Sequence, residues 1–232
     1  MPLLKTGESL QLVTEVLGRR MPGLSPSDGA AAGPHGCTHQ ADACLKAGSD
    51  WAGAPLSEVL GRRRSVRAFR PAPVPVQHLQ AILTSAYTAE AQTWPHATHG
   101  CLAFRTVVAA ARIRGLGHGL QAASEDNRSF VSLGELSLAE SLQDEYGAAP
   151  GLLLIGGDLD QACSSAGGYG RALLRAGTLG YASWLSAISM GLGGTVFGGS
   201  SYQVTALMRQ LDPRLQHLFT VTVGYPASAL AG

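Results

Sequence analysis

The sequence predicts an α+β fold. Two observations carry that prediction. Three apolar runs far apart in the chain, 102–110, 151–157 and 217–224, read as strands. The intervals between them hold long segments of helical periodicity, of which 169–192 is the longest. This order of elements suits a sheet wrapped by helices. A parallel, doubly wound sheet would contradict it, and no G-x-G-x-x-G follows a strand to support a dinucleotide-binding crossover.

Composition narrows the function classes. The chain has 232 residues, 45% of them hydrophobic, which is enough for a sizeable core. Only 14% are charged, so part of the surface is expected to be covered again in an intimate dimer. A formal net charge of +1 argues against nucleic acid or an anionic membrane surface as partner. No apolar run approaches the ~20 residues of a membrane span. Residues 1–20 carry charges and lack the apolar centre of a secretory signal. Cys37, Cys44, Cys101 and Cys163 make no obvious disulfide framework, so a cytoplasmic protein with free thiols is expected.

Residues 1–55 read as a variable N-terminal extension. Leu10, Val13, Val16 and Leu17 suggest a short amphipathic helix within 7–20. Residues 22–50 are rich in Gly, Ala, Pro and Ser and read as a long loop. His35, Cys37, His39 and Cys44 fall there. Their residue types suit a metal, but their spacing matches no standard zinc site, and no metal is expected.

Residues 56–63 read as a helix running into Arg62-Arg63-Arg64-Ser65-Val66-Arg67-Ala68-Phe69. Four guanidiniums and a hydroxyl stand close together, and the nearest acids are Glu58 and Glu90. Arginine forks match phosphate oxygens, so an unbalanced cluster points to an anionic ligand, while Val66 and Phe69 can face the core. If the segment is extended, residues 63, 65 and 67 share a side; if helical, 63 and 67 do. Pro71, Pro73 and Pro75 then impose an extended connector.

Residues 76–90 read as a helix with Leu79, Ile82, Leu83 and Ala86 on one face. Residues 91–101 are polar and aromatic and precede the first strand. His96, His99 and His118 read as loop or packing histidines rather than acid–base groups. Residues 132–146 read as a helix around Leu136, Leu138, Ala139 and Leu142. The 169–192 helix is apolar on nearly every side and must be central or at a subunit interface. Gly198 and Gly199 follow, in a turn whose amides could approach a planar ring or an anion closely. A helix over 202–211 and the last strand, closed by Tyr225-Pro226, complete the pattern.

The arginine motif R-R-S-x-R-x-F with its proline segment resembles the opening signature of the nitroreductase-like FMN flavoproteins. A long helix ending in Gly191-Leu192-Gly193 and a last strand ending in Gly224-Tyr225-Pro226 are similar to that family too. Residues 114–120 and 168–178 resemble the SagB-type branch, azoline dehydrogenases that oxidise thiazolines and oxazolines in peptide natural products to azoles. The resemblance covers 56–226 and implies several things. The sheet should be mostly antiparallel, with a long central helix and an intertwined homodimer. Residues 56–232 should form an FMN-binding domain. Arg63, Ser65, Arg67 and also Arg64 should contact FMN, with Gly198 and Gly199 beside its ring.

The chain also departs from that pattern. No basic residues follow Tyr225-Pro226 to hold the FMN phosphate, which leaves the charge to residues 62–67 or to an arginine such as Arg209. The branch's Lys-Tyr pair before the long helix is replaced by Gln161-Ala162-Cys163-Ser164-Ser165, and its "L-E-A-G-H" by Leu174-Arg175-Ala176-Gly177-Thr178. The base of azoline oxidation is therefore in doubt. The resemblance implies first an FMN-dependent azoline dehydrogenase on a peptide substrate; the alternatives are an NAD(P)H-dependent nitroreductase-type flavin reductase on a small molecule, and a non-catalytic flavin-fold partner in a peptide-modifying complex.

Overall fold

The structure, a computed structural model, describes residues 54–227 apart from 101 and 164–166. The expected helix over 7–20, the loop over 22–50 and the His35, Cys37, His39 and Cys44 group lie outside the described residues.

The first helix, α1 (Leu56–Arg62), starts after Pro55, carries Glu58 in its first turn and Arg62 in its last, and buries only Val59. The two charges suit the helix dipole and pair with each other one turn apart. Residues 63–73 form no helix and bridge other segments at Ser65 and Phe69. A short strand β1 (Val74–Pro75) leads into α2 (Val76–Thr93), which buries Leu79, Ile82, Leu83 and Ala86 as its spacing predicts. A single turn, α3 (His96–His99), precedes β2 (Phe104–Ala110) and β3 (Ile113–Arg114). Next come β4 (Gly119–Ala123), β5 (Phe130–Gly134), α4 (Leu136–Tyr146) and β6 (Gly151–Asp158). The chain continues through α5 (Leu159–Cys163), α6 (Gly168–Ser189), β7 (Val196–Phe197), α7 (Tyr202–Leu211) and β8 (Leu215–Val223).

Six strands form one sheet in the order β5-β4-β2-β6-β8-β7, and every neighbouring pair is antiparallel. β1 and β3 pair in parallel beside it. The expected antiparallel sheet is therefore present. Its central strands are buried on both faces. Val108, Ala110, Leu153 and Ile155 face α2 and α6 in one core, while Val107, Ala109, Leu152 and Leu154 face α4 and α7 in another. The period-2 alternation of a strand feeds both layers at once, which explains why 151–157 reads as an unbroken apolar run.

Two readings need correction. Residues 132–134 are not the start of a helix but the end of edge strand β5. Glu135, at φ 51°, turns the chain before α4 begins. The long helix is shorter than its apolar run. It stops at Ser189, before Gly191 adopts φ 76°, and it buries one face. It leaves Tyr169, Leu173, Leu174 and Tyr181 exposed, and α1, packed beside it, adds exposed Leu56 and Leu60.

Candidate functional site

The arginine segment is extended, not helical. Arg63 has φ −66° and ψ 105°. Ser65 bridges Gly194 in parallel register, and Val66 N–H donates to the Gly194 carbonyl at 2.9 Å. Thr195 Oγ1 donates to the Val66 carbonyl at 2.9 Å. Further along, Phe69 bridges Pro226 and Arg70 N–H donates to the Tyr225 carbonyl at 2.8 Å. The segment is thus stitched to two others from the far end of the chain.

Extension fixes which side each residue takes. Val66 turns inward, so close to Gly193 that a Cβ there would lie 3.0 Å from it. Arg63, Ser65 and Arg67 are exposed, and Val66 between them is partly buried. Arg64 is exposed as well, on the other side of the alternation. Arg62 forms an ion pair with Glu58, so the cluster is partly balanced, contrary to the reading from sequence. Among the described residues no carboxylate pairs with Arg63 or Arg67. The Arg63 guanidinium lies over the rings of Trp184, at 5.5 Å, and Tyr181, at 6.0 Å, on α6. A guanidinium stacked on aromatic rings keeps its edge donors available to an anion.

The glycines Gly198 and Gly199 follow β7, four and five residues after the Gly194 that Ser65 bridges. Gly147 packs on the Arg67 carbonyl, and its neighbour Tyr146 meets the ring of Phe197 edge-on at 4.9 Å, next to Gly198. On the α6 side, Phe219 lies 3.6 Å from where a Gly198 Cβ would sit and fills the space that Gly180 leaves open. A Cβ at Gly199 would meet nothing within 4 Å. Arg209 is exposed in the last turn of α7.

A second arrangement joins α2 to α6. Glu90 Oε1 accepts from Arg175 Nε at 2.6 Å, with both side chains almost fully buried. Arg175 Nη1 donates to the Gly100 carbonyl at 3.1 Å, and the guanidinium lies over Phe104. One turn along α6, Thr178 Oγ1 accepts from Trp94 Nε1 at 3.3 Å and donates to the Leu174 carbonyl. Trp94 meets His99 edge-on at 5.1 Å, which makes that histidine a packing residue. The two positions where the chain departs from "E-A-G-H" thus both hold the 94–100 segment. Sequence reasoning missed Glu90 as Arg175's partner.

The other buried ionisable groups have structural partners. His217 is fully buried, and burial pushes its imidazole down to about 4. Burial pushes the Tyr87 phenol up to about 12, against the pull of its hydrogen bond to Thr106 Oγ1. Asp158 caps α5 by accepting from Gln161 N–H at 2.9 Å. Among the described residues no cluster of His, Cys, Asp and Glu could hold a metal. None of the described helices is long and apolar enough to cross a membrane.

An antiparallel sheet covered by helices on both faces, with its long helix beside an extended basic segment, defines the nitroreductase fold. Residues 60–225 match the sequence profile of the Nitroreductase family, and the chain belongs to that family. Solved structures agree on the fold. A nitroreductase candidate from Ralstonia eutropha JMP134 superposes with a TM-score of 0.57 at 22% identity, covering 76% of this chain and 85% of that one. One from Anabaena variabilis ATCC 29413 gives 0.58 at 21% identity, covering 74% of this chain but only 38% of its own. The NADPH:FMN oxidoreductase from Vibrio harveyi, solved with NAD+, gives 0.50 at 19% identity, covering 75% of this chain and 70% of that chain. No curated protein matches the chain.

Proposed function

We propose that the chain is an FMN-dependent oxidoreductase that binds its cofactor along the arginine segment. The observation that carries this reading is the extended row of Arg63, Ser65 and Arg67, exposed on one side with no carboxylate pairing either arginine among the described residues. Two cations and a hydroxyl in a row fit a ligand with a phosphate, a polyol and a ring edge bearing acceptors. Arg63, Ser65 and Arg67 would hold these groups, with Arg64 at the margin. Gly198 and Gly199 would approach the ring through backbone amides, where side chains would intrude.

When bound, FMN supplies reversible two-electron transfer. The chain's own part is to bind and orient it and to keep water from the ring. Reduction by NAD(P)H followed by delivery to a small-molecule acceptor needs no side-chain base, and the geometry suits that chemistry. Arg175 is committed to Glu90, and Thr178 to Trp94 and Leu174, so neither is free to take a substrate proton.

A second reading, azoline oxidation on a peptide, is favoured by the motif similarities at 114–120 and 168–178. It requires a base that those committed side chains do not provide. In either reading residues 56–232 form the FMN domain, residues 1–55 are an extension, and the protein works in the cytoplasm. The exposed apolar side chains of α6 and α1 support a homodimer.

The test is spectroscopic. Purified protein should be yellow and should take up FMN. NADH or NADPH should bleach it anaerobically if the first reading holds. A thiazoline peptide should instead lose two hydrogens if the second does. A colourless protein that never takes up FMN rejects both and leaves a non-catalytic partner in peptide modification.

A further inference from the structure

We propose that His217 is a positioning residue that fixes the turn over residues 198–201 and, through it, the flavin ring; the flavin part rests on the function proposed above. Gly198, Gly199 and Ser200 are exposed. A turn with two glycines has little side-chain packing of its own, so its shape must be imposed by a neighbour.

His217 supplies that support. Its side chain, on β8, is fully buried. Nδ1 accepts from Ser201 N–H at 2.9 Å. A backbone N–H can only donate, so Nδ1 carries no proton and the ring is the Nε2–H tautomer. Nε2 lies 2.9 Å from Thr220 Oγ1 and 3.1 Å from the Phe219 carbonyl, both able to accept that proton. The backbone N–H of His217 donates to Thr205 Oγ1 on α7 at 3.1 Å. One residue therefore joins the turn, the first half of α7 and the sheet.

The strand is shaped for this task. Ile155 faces Phe219 and Gly156 faces His217, so Leu218 has no partner across the ladder. Such a bulge bends a strand and re-aims its side chains. Here His217 reaches Ser201 on one side of the bulge. Phe219, on the other side, packs into the gap at Gly180 and against Gly198. The turn rests on Phe219 and is tied to His217 at Ser201. Both ring nitrogens are engaged and buried, so His217 takes no part as a proton carrier; it acts through the turn.

The experiment compares two replacements. His217→Asn keeps an acceptor near the place of Nδ1, whereas His217→Gln carries its amide towards Nε2 and leaves Ser201 N–H unpaired. Three readouts are taken: thermal melting, amide exchange over 198–201 in flavin-free protein, and FMN affinity by fluorescence titration. Both variants should melt lower by similar amounts. Exchange over 198–201 should quicken, and FMN binding weaken tenfold or more, in His217→Gln alone, with His217→Asn within about threefold of wild type. Equal FMN loss in both variants would overturn the proposal, because that is what a purely structural role produces. Ser201→Pro removes the same N–H from the surface side, at an N-cap position that proline already occupies in α1 and α2. It should weaken FMN binding tenfold or more even if neither histidine variant folds, and unchanged FMN affinity in Ser201→Pro would also overturn the proposal. Wild type that binds no FMN, with the exchange difference intact, would overturn the flavin part and the proposed function together while leaving the tie to the turn in place.

Discussion

The guanidinium of Arg175 donates to the carboxylate of Glu90 at 2.6 Å, across two packed helices and with both side chains almost fully buried. Each charge is tolerable there only because of the other. Removing one partner from such a pair typically costs about 3–5 kcal/mol, because the survivor stays buried and uncompensated. Arg175→Met and Glu90→Leu should each lower the unfolding free energy by that order in urea titrations. The double variant should recover most of the loss. Singles that cost less than about 1 kcal/mol would show that water reaches the pair.

Acid should weaken the fold through His217. Its imidazole is held near 4, against 6.5 in an unfolded chain, chiefly by burial. As pH falls, the unfolded chain takes a proton at 6.5, whereas the folded one does so only near 4. The stability this confers is whole above 6.5 and is lost between 6.5 and 4, by roughly 3 kcal/mol. Denaturant titrations across that window should show the slope, and His217→Asn should flatten it. Parallel pH profiles for the two proteins would contradict the assignment.

Gly194 and Gly199 should separate folding from binding. A Cβ at Gly194 would collide with the Thr222 carbonyl, a backbone atom that cannot move aside, whereas one at Gly199 meets nothing. Gly194→Ala should cost about 1–3 kcal/mol or prevent folding, and it should disturb the Ser65 bridge. Gly199→Ala should melt like wild type and still bind FMN less tightly. Full FMN affinity in Gly199→Ala would remove that glycine from the proposed ring contact.

Arg67→Ala should weaken FMN binding by one to two orders of magnitude, since a charge-assisted hydrogen bond contributes about 1.5–3 kcal/mol. Arg62→Ala, which removes a guanidinium already paired with Glu58, should change it by less than about threefold. Fluorescence titration of the two variants side by side checks this. Equal losses would point to bulk charge rather than to the outward-facing row.

Sedimentation should find a homodimer, because Leu174 and Tyr169 on α6 and Leu56 on α1 are more than half exposed and lie on neighbouring helices. Leu174→Glu should shift the protein towards monomer. A monodisperse monomer of the wild type at micromolar concentration would reject the interface.

The sequence made the central strands and α7 legible because each has a clean period and clear stops: 151–157 between Pro150 and Asp158, and 202–211 after Ser201. The strands β4 and β5 were not legible. Gly119–Ala123 carries no β-branched residue, and Phe130–Gly134 runs into the helical pattern of α4 with only Glu135 between them. Glu90 was legible in principle. It continues the stripe of Leu79, Ile82, Leu83 and Ala86, and an acid on an apolar stripe calls for a cation. Arg175 likewise falls among the buried positions Ala172, Ala176 and Leu179. What no spacing could reveal was that these two stripes face each other. The grip of His217 on Ser201 was hidden for a similar reason: it depends on a bulge, which breaks the period that sequence reading relies on.

The stitching of the arginine segment to Gly194 and Pro226 sets an order of events at birth. On the ribosome, residues 63–69 emerge long before either partner does, at about 5–20 residues per second. Until Gly194 and Thr195 have been made none of these ties can form, and until Pro226 has been made the stitching is incomplete, so the nascent chain presents a loose basic strand first. The surface proposed to take the anion is thus among the last parts of the fold to be completed, although its residues are synthesised long before Gly194 and Pro226.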